Sequence, residues 1–371
     1  MSNSRTAVND HQHITPPSSF VDQPLTPPRT DEKPFTQAHR VISLFEAIRA
    51  GRHTNQGPWT EFVLAPGEYD ELVRLLGRNE ELLGYVKDKI RYDYDAIYHR
   101  LVVRMPTAVH ELFVARVEDA IFSQLKSIRK GSDGAAAFAR KIYPTRSTEI
   151  YLPVDDTTPD IKSKHEPDAS FCHTDARYPG VIIEVAYSQK KKSLSRLAED
   201  YLLDSDTGIQ VVIGLDIEYG KKESRKATLS VWRTYVDENE IRVAPEVADE
   251  AFRNQQGDPT NHKGLRLQLK DFAYEELALR ELGDTDLELV ISTQQLCEYL
   301  HTAETRVARL ESLGRPLIAP GLKKRKRSET PPDQITSGDE AKFAEQEQRA
   351  AKRVAQEDSN YEVSSFKSTS E

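Results

Sequence analysis

The chain of 371 residues holds only two cysteines, Cys172 and Cys297, and they lie far apart. That excludes a disulfide framework and leads us to expect a reducing compartment. No apolar run approaches the roughly eighteen residues that a membrane-crossing helix needs. The first residues, MSNSRTAVNDHQHITPP, carry neither a basic n-region nor an apolar core, so neither secretion nor a membrane partner is expected. Glycine-rich phosphate loops, zinc-finger spacings and a G-x-S-x-G elbow are all missing. Cys172-His173 with His165 offers too few ligands for zinc. Positive charge is also short, with 51 Lys and Arg against 60 Asp and Glu and a net charge of −9. Coating nucleic acid through bulk charge is thereby disfavoured, although a bound cation or a local basic patch can still receive phosphate.

The length suits one large or two small domains with a core that needs no staples. Residues 1–35 are rich in Pro, Thr and Ser and have too little apolar surface to offset their conformational entropy, so they read as a disordered tail. Residues 36–105 read as a helical lead-in and an edge strand. Val41, Leu44, Phe45 and Ile48 recur at helical spacing before Gly51, a second helical zone follows, and RYDYDAIYHRLVVRM then turns to strand-like alternation. The strongest helix spans about 107–129, with Val109, Leu112, Phe113, Val117 and Ile121 on one stripe behind Pro106. Residues 131–137 read as a small-residue loop, and residues 148–154 as a strand.

The most informative stretch is HEPDASFCHTDARYPGVIIEVAYSQ. Asp168 follows a proline, and after fifteen intervening residues Glu184 interrupts the apolar run Val181-Ile182-Ile183 of a buried strand. An unpaired carboxylate there costs several kcal/mol, so a cation is called for. The turn 175–180 folds one strand back on the other, which would bring both acids to a single divalent ion with a preference for oxygen ligands. Lys190, Lys191 and Lys192 open the next helix, where they oppose the helix dipole, and Arg196 lies a turn further on. A phosphate backbone would compensate them, and so would plain solvation. Strand, helix and strand then continue through IQVVIGLDIEY, which demands a crossover between parallel neighbours. The expected class is therefore α/β, or α+β-like, with a mixed central sheet flanked by helices. The core should run over 106–312, ending in one more strand and the amphipathic helix STQQLCEYLHTAETRVARLES.

On these motifs, PDASF, YPGVIIEVAYSQ and IQVVIGLDIEY, the chain resembles the PD-(D/E)XK nuclease superfamily over roughly 91–235, and in particular a restriction-endonuclease-like branch common in filamentous fungi. The resemblance implies a restriction-endonuclease-like core, Mg²⁺ or Mn²⁺ on Asp168 and Glu184, and hydrolysis of a nucleic-acid phosphodiester, DNA first. It also implies an acid from the first core helix, for which Glu111 stands in place, with Glu118 and Glu149 as the alternatives. One departure is plain: the position of the usual lysine, two after Glu184, is Ala186. Gln189 or Lys190 would have to orient the water. The alternative is a nuclease-derived domain without catalysis that binds nucleic acid or protein.

Residues 313–371 return to a polar, disordered composition. Within them Lys323-Lys324-Arg325-Lys326-Arg327 has the make-up of a nuclear localisation signal, so nuclear residence, with cytoplasmic residence as the alternative, and an import receptor as partner are expected.

Overall fold

Val181-Ile182-Ile183 forms the middle of a six-stranded sheet, as its unbroken apolar character requires. A computed structural model describes residues 35–53, 59–154, 161–187, 191–218, 224–285 and 287–313, with Glu345, Gln348 and Arg349. Most of both expected tails, with the basic run 323–327, lies outside the described residues. The chain is of the α/β class with mixed sheets.

The first part comprises α1 (Thr36–Arg49), β1 (Trp59–Val63), α2 (Glu68–Gly77), α3 (Glu80–Lys89), β2 (Arg91–Asp95) and β3 (Arg100–Arg104). The stretch 91–105, which alternates like one edge strand, is a hairpin. His99 takes a left-handed φ of 50° at its turn, and β2 and β3 pair antiparallel with Arg91 opposite Arg104 and Asp95 opposite Arg100. Side chains directly opposite in such a ladder share a face. Tyr92, Tyr94, Leu101 and Val103 are buried with the apolar stripes of α1 to α3, which leaves Arg91, Asp93, Arg100 and Arg104 on the opposite face.

Next come α4 (Ala108–Ile128), α5 (Gly134–Arg140), β4 (Ile142–Pro144), β5 (Ile150–Pro153), β6 (Lys162–His165), β7 (Ala169–His173) and β8 (Val181–Tyr187). Thr107 caps α4, its hydroxyl accepting from His110 N at 3.3 Å. The small residues after Gly131 form α5 and not a loop, because Asp133 accepts from Ala136 N at 2.8 Å and starts a helix there. β5 and β6 leave the central sheet and complete the five-stranded order β1-β3-β2-β6-β5.

The chain continues through α6 (Lys191–Asp204), β9 (Val211–Ile217), β10 (Ala227–Asp237), β11 (Glu240–Arg253), β12 (Leu265–Gln268), α7 (Glu275–Leu282), β13 (Glu288–Ile291) and α8 (Thr293–Ser312). The central order is β11-β10-β9-β8-β7-β4, with β8 parallel to β9 and the other neighbours antiparallel. β11 carries Pro245 and polar residues that hide it from pattern reading. It is an edge strand, where proline is tolerated, joined to β10 by a two-residue turn in which Glu238 and Asn239 both have positive φ.

Alternate residues of β8 face two cores. Val181, Ile183 and Val185 pack with α4, α5, α7 and α8, whereas Ile182 packs with Ala198, Tyr201 and Leu202 of α6. Glu184, two residues from Ile182, lies on the α6 side, toward the polar face of the β2–β3 hairpin. Gly180 lets the start of β8 touch the segment 271–273: a Cβ there would stand 2.3 Å from the Phe272 backbone carbon.

Candidate functional site

Register explains why two acids sixteen positions apart meet. β7 and β8 pair antiparallel with Ala169 opposite Ile183, and continuing that ladder by one residue sets Asp168 opposite Glu184. Both are almost fully buried, with 7% and 3% of their surface exposed. The neighbouring N–H of Val185 donates to Asp168 Oδ2 at 2.8 Å, and His110 Nε2 sits 3.0 Å from the same oxygen. Glu184 Oε1 accepts from the Tyr201 hydroxyl at 2.8 Å. Each acid thus has one oxygen held by the scaffold and one turned to the other acid.

Arg104 occupies the space between those second oxygens. Its Nη1 donates to Glu184 Oε2 at 2.9 Å and lies 3.6 Å from Asp168 Oδ1, while Nη2 donates to Asp93 Oδ1 at 3.0 Å and to the Glu166 carbonyl. Asp93 Oδ1 also accepts from Glu166 N at 2.8 Å, which ties the hairpin to the segment leading into Asp168. Arg91 Nη1 lies 3.5 Å from Asp168 Oδ1 and 3.2 Å from Glu111 Oε1. Asp168 Oδ1 therefore faces two guanidinium groups at ion-pair range.

Burial opposes ionisation of Asp168, but His110, Arg104 and the Val185 N–H outweigh it and hold the carboxyl below the usual range. For Glu184 burial wins over Arg104, and Asp168 and Asp93 add to the upward push. Burial would lower the His110 imidazole, yet Asp168 and Glu111 raise it to about 9, so it is protonated at neutral pH. Nearby, burial followed by Asp95 and Asp204 lifts Asp200 to about 7.

These groups line a cleft of about 160 Å³ between the hairpin, the start of α4, β8 and α6, with Trp59, Val102, Pro106, Leu194 and Leu197 as apolar walls. Its acids are Glu61, Asp93, Asp95, Asp168, Glu184 and Asp200, against the cations Arg91, Arg100, Arg104 and His110. Carboxylates are in excess, and His165 adds a ring nitrogen to the oxygen donors of the lining. Asp168 and Glu184 fit a hard divalent cation such as Mg²⁺ or Mn²⁺, provided that the Arg104 nitrogen between them gives way.

Among the acids singled out in the sequence, Glu111 reaches the site through Arg91. Glu118 faces Arg146 at 3.7 Å, Glu149 bonds Tyr151 and Lys164, and none of the three acids lines the cleft. Arg196 donates to Asp95 Oδ2 at 3.0 Å and stacks on Tyr98 at 3.8 Å, so in this arrangement it serves the hairpin. Gln189 and Lys190 lie outside the described residues. Lys191 and Lys192 form the first turn of α6. Pattern reading missed Arg91, Asp93, Arg104, His110 and Tyr201. The charged positions that alternate with apolar ones in RYDYD and RLVVR were the available signal for the first three.

A second group, His173, Asp175 and Glu281, has potential ligand atoms within 4.8 Å of one another. Lys141 Nζ already bridges it, 2.9 Å from Asp175 Oδ2 and 2.8 Å from Glu281 Oε1. His173 Nδ1 accepts from Asp175 N at 3.2 Å, which leaves Nε2 as the protonated nitrogen of the neutral ring, facing Glu281 at 3.6 Å. Metal binding at Nε2 would have to expel that proton and displace Lys141 from both carboxylates, so this group fits a lysine-centred clamp better than an ion site. The two cysteines are free. Among the described residues, no helix is long and apolar enough to cross a membrane.

Compared with protein-family models and with curated proteins, the chain matches none.

Proposed function

We propose that the cleft binds Mg²⁺ or Mn²⁺ through Asp168 and Glu184 and hydrolyses a nucleic-acid phosphodiester, DNA being the first choice of substrate. The observation that carries this reading is the cross-strand pair itself: two buried carboxylates in register, each with one oxygen pinned and the other turned to a single cation position. A bound divalent ion there supplies a water of lowered pKa and neutralises charge on the phosphate. The chain's own part is orientation. The Val185 N–H and His110 present Asp168 Oδ1, Tyr201 presents Glu184 Oε2, and Asp93 with the Glu166 carbonyl holds Arg104 beside the reacting position. Burial of both acids excludes bulk water and strengthens each of these contacts.

One observation favours a second reading. Ala186 stands where the usual lysine would be, and Arg104 already faces both acids as a counter-charge without a metal. On that basis the domain binds nucleic acid or protein and has no hydrolytic step. Calorimetry with Mg²⁺ and Mn²⁺, run beside plasmid nicking by the wild type and Asp168→Ala, separates the two. Binding and nicking lost together in the variant support hydrolysis, whereas a folded wild type that binds neither ion supports the binding module. For the cell, we propose that the basic run 323–327 engages a nuclear import receptor. A reporter fusion that stays cytoplasmic with the run intact would refute it.

A further inference from the structure

Arg104 is in an unusual position for a largely buried side chain. It faces three carboxylates and a carbonyl, yet its Nε is a buried donor with no hydrogen-bond partner among the described residues. Such an unmet donor costs on the order of 1–3 kcal/mol, so the guanidinium holds this place because the carboxylates need a cation more than because its own bonds are complete. Removing that charge with nothing in exchange would leave Asp168, Glu184 and Asp93 buried and mutually repelling, which is strongly unfavourable.

We propose that Arg104 is the resting counter-ion of the site and that a divalent cation binds by exchange with it, which makes Arg104 the residue that sets metal affinity. The proposal rests on the metal reading above but not on hydrolysis. Three observations converge on it. Nη1 contacts both of the oxygens that would hold the ion, 2.9 Å from one and 3.6 Å from the other. Its contact to Asp168 is the longer and lacks hydrogen-bond range, so one side of the position is already loosely held. Arg104 belongs to the β2–β3 hairpin, with Arg91 opposite and Arg100 on the same face, so a released guanidinium remains among the cations of the cleft wall and does not leave the site. Metal and guanidinium thus compete for one charge, and by reciprocity each weakens the other's hold.

The test measures Mn²⁺ affinity by calorimetry, and Tm with and without Mn²⁺, for the wild type, Arg104→Gln and Arg104→Lys. With its competitor gone, Arg104→Gln is expected to bind Mn²⁺ at least tenfold more tightly. Its Tm should fall without metal and recover toward the wild-type value at saturating Mn²⁺. Arg104→Lys keeps a charge that cannot span the three carboxylates and should fall between the two, which also guards against a glutamine variant that fails to fold without metal. Equal or weaker Mn²⁺ binding by both variants would overturn the exchange, as would a Tm loss that Mn²⁺ does not repair. Tighter binding without any cleavage of DNA upholds the exchange and refutes only the hydrolase reading. Cleavage by a wild type whose affinity is unchanged in the variants does the reverse.

Discussion

Asp168 accepts the backbone N–H of Val185 at 2.8 Å, so the first acid of the site is fixed in place by the strand that carries the second. Their separation is therefore a property of the sheet and not of two independent rotamers. Truncating Asp168 to Ala removes a charge that His110, Arg104 and Arg91 all face, and removing one partner of a buried ion pair costs about 3–5 kcal/mol. Chemical denaturation is expected to show a loss of that order for Asp168→Ala. Asp168→Asn, which keeps an acceptor for Val185, should lose less. Equal losses would mean that the backbone bond contributes nothing.

Tyr201 anchors the other acid. Its hydroxyl donates to Glu184 Oε1 at 2.8 Å in a fully buried setting, and a hydrogen bond of this kind is worth about 1 kcal/mol. Tyr201→Phe should destabilise the fold by roughly this amount and weaken Mn²⁺ binding, because Glu184 loses the donor that orients it. Unchanged metal affinity would show that Arg104 alone sets its rotamer.

Asp200 supplies a pH signature. Its carboxyl is lifted to about 7, first by burial and then by Asp95 and Asp204. A carboxyl whose folded pKa is raised destabilises the fold as it ionises. The penalty is absent below about pH 4, grows as pH rises toward 7 and is complete above. Asp200→Asn is therefore expected to leave stability unchanged near pH 4 and to raise it by about 1 kcal/mol near pH 8, the figure being reduced for solvent screening at a half-buried position. Thermal melts at the two pH values decide it, and a gain at the acid end would contradict the assignment.

Gly180 sets where β8 begins. A methyl there would meet the Phe272 backbone carbon at 2.3 Å and the Asp271 oxygen at 2.4 Å, atoms that cannot turn aside as a side chain can. Gly180→Ala should cost about 3 kcal/mol and, by shifting β8 against β7, weaken Mn²⁺ binding as well. A stability loss with intact metal affinity would show that the two strands move as one.

Added Zn²⁺ is expected to leave the Tm of Asp168→Ala unchanged, because Lys141 already bridges Asp175 and Glu281 and the ring nitrogen of His173 that faces Glu281 carries a proton. A rise in Tm that disappears in Glu281→Gln would instead reveal a second ion site.

The sequence determined the central strands β7, β8 and β9 and the pair of acids. An unbroken apolar run around one carboxylate admits few placements, and the turn at Tyr178-Pro179-Gly180 folds its partner onto it; helical stripes and caps likewise marked α1, α4, α6 and α8 before any coordinates. Tertiary structure decided what surrounds the acids. Arg104 and Asp93 come from a hairpin some sixty to ninety residues earlier in the chain, and local periodicity says only that their side chains share a face, not which carboxylates that face will meet. It also decided that Glu111, and not Glu118 or Glu149, shares Arg91 with Asp168, an ion pair that ties α4 to β2. β11 stayed hidden for the same reason: an edge strand owes its pairing to β10, and its polar, proline-bearing sequence bears no trace of that partner.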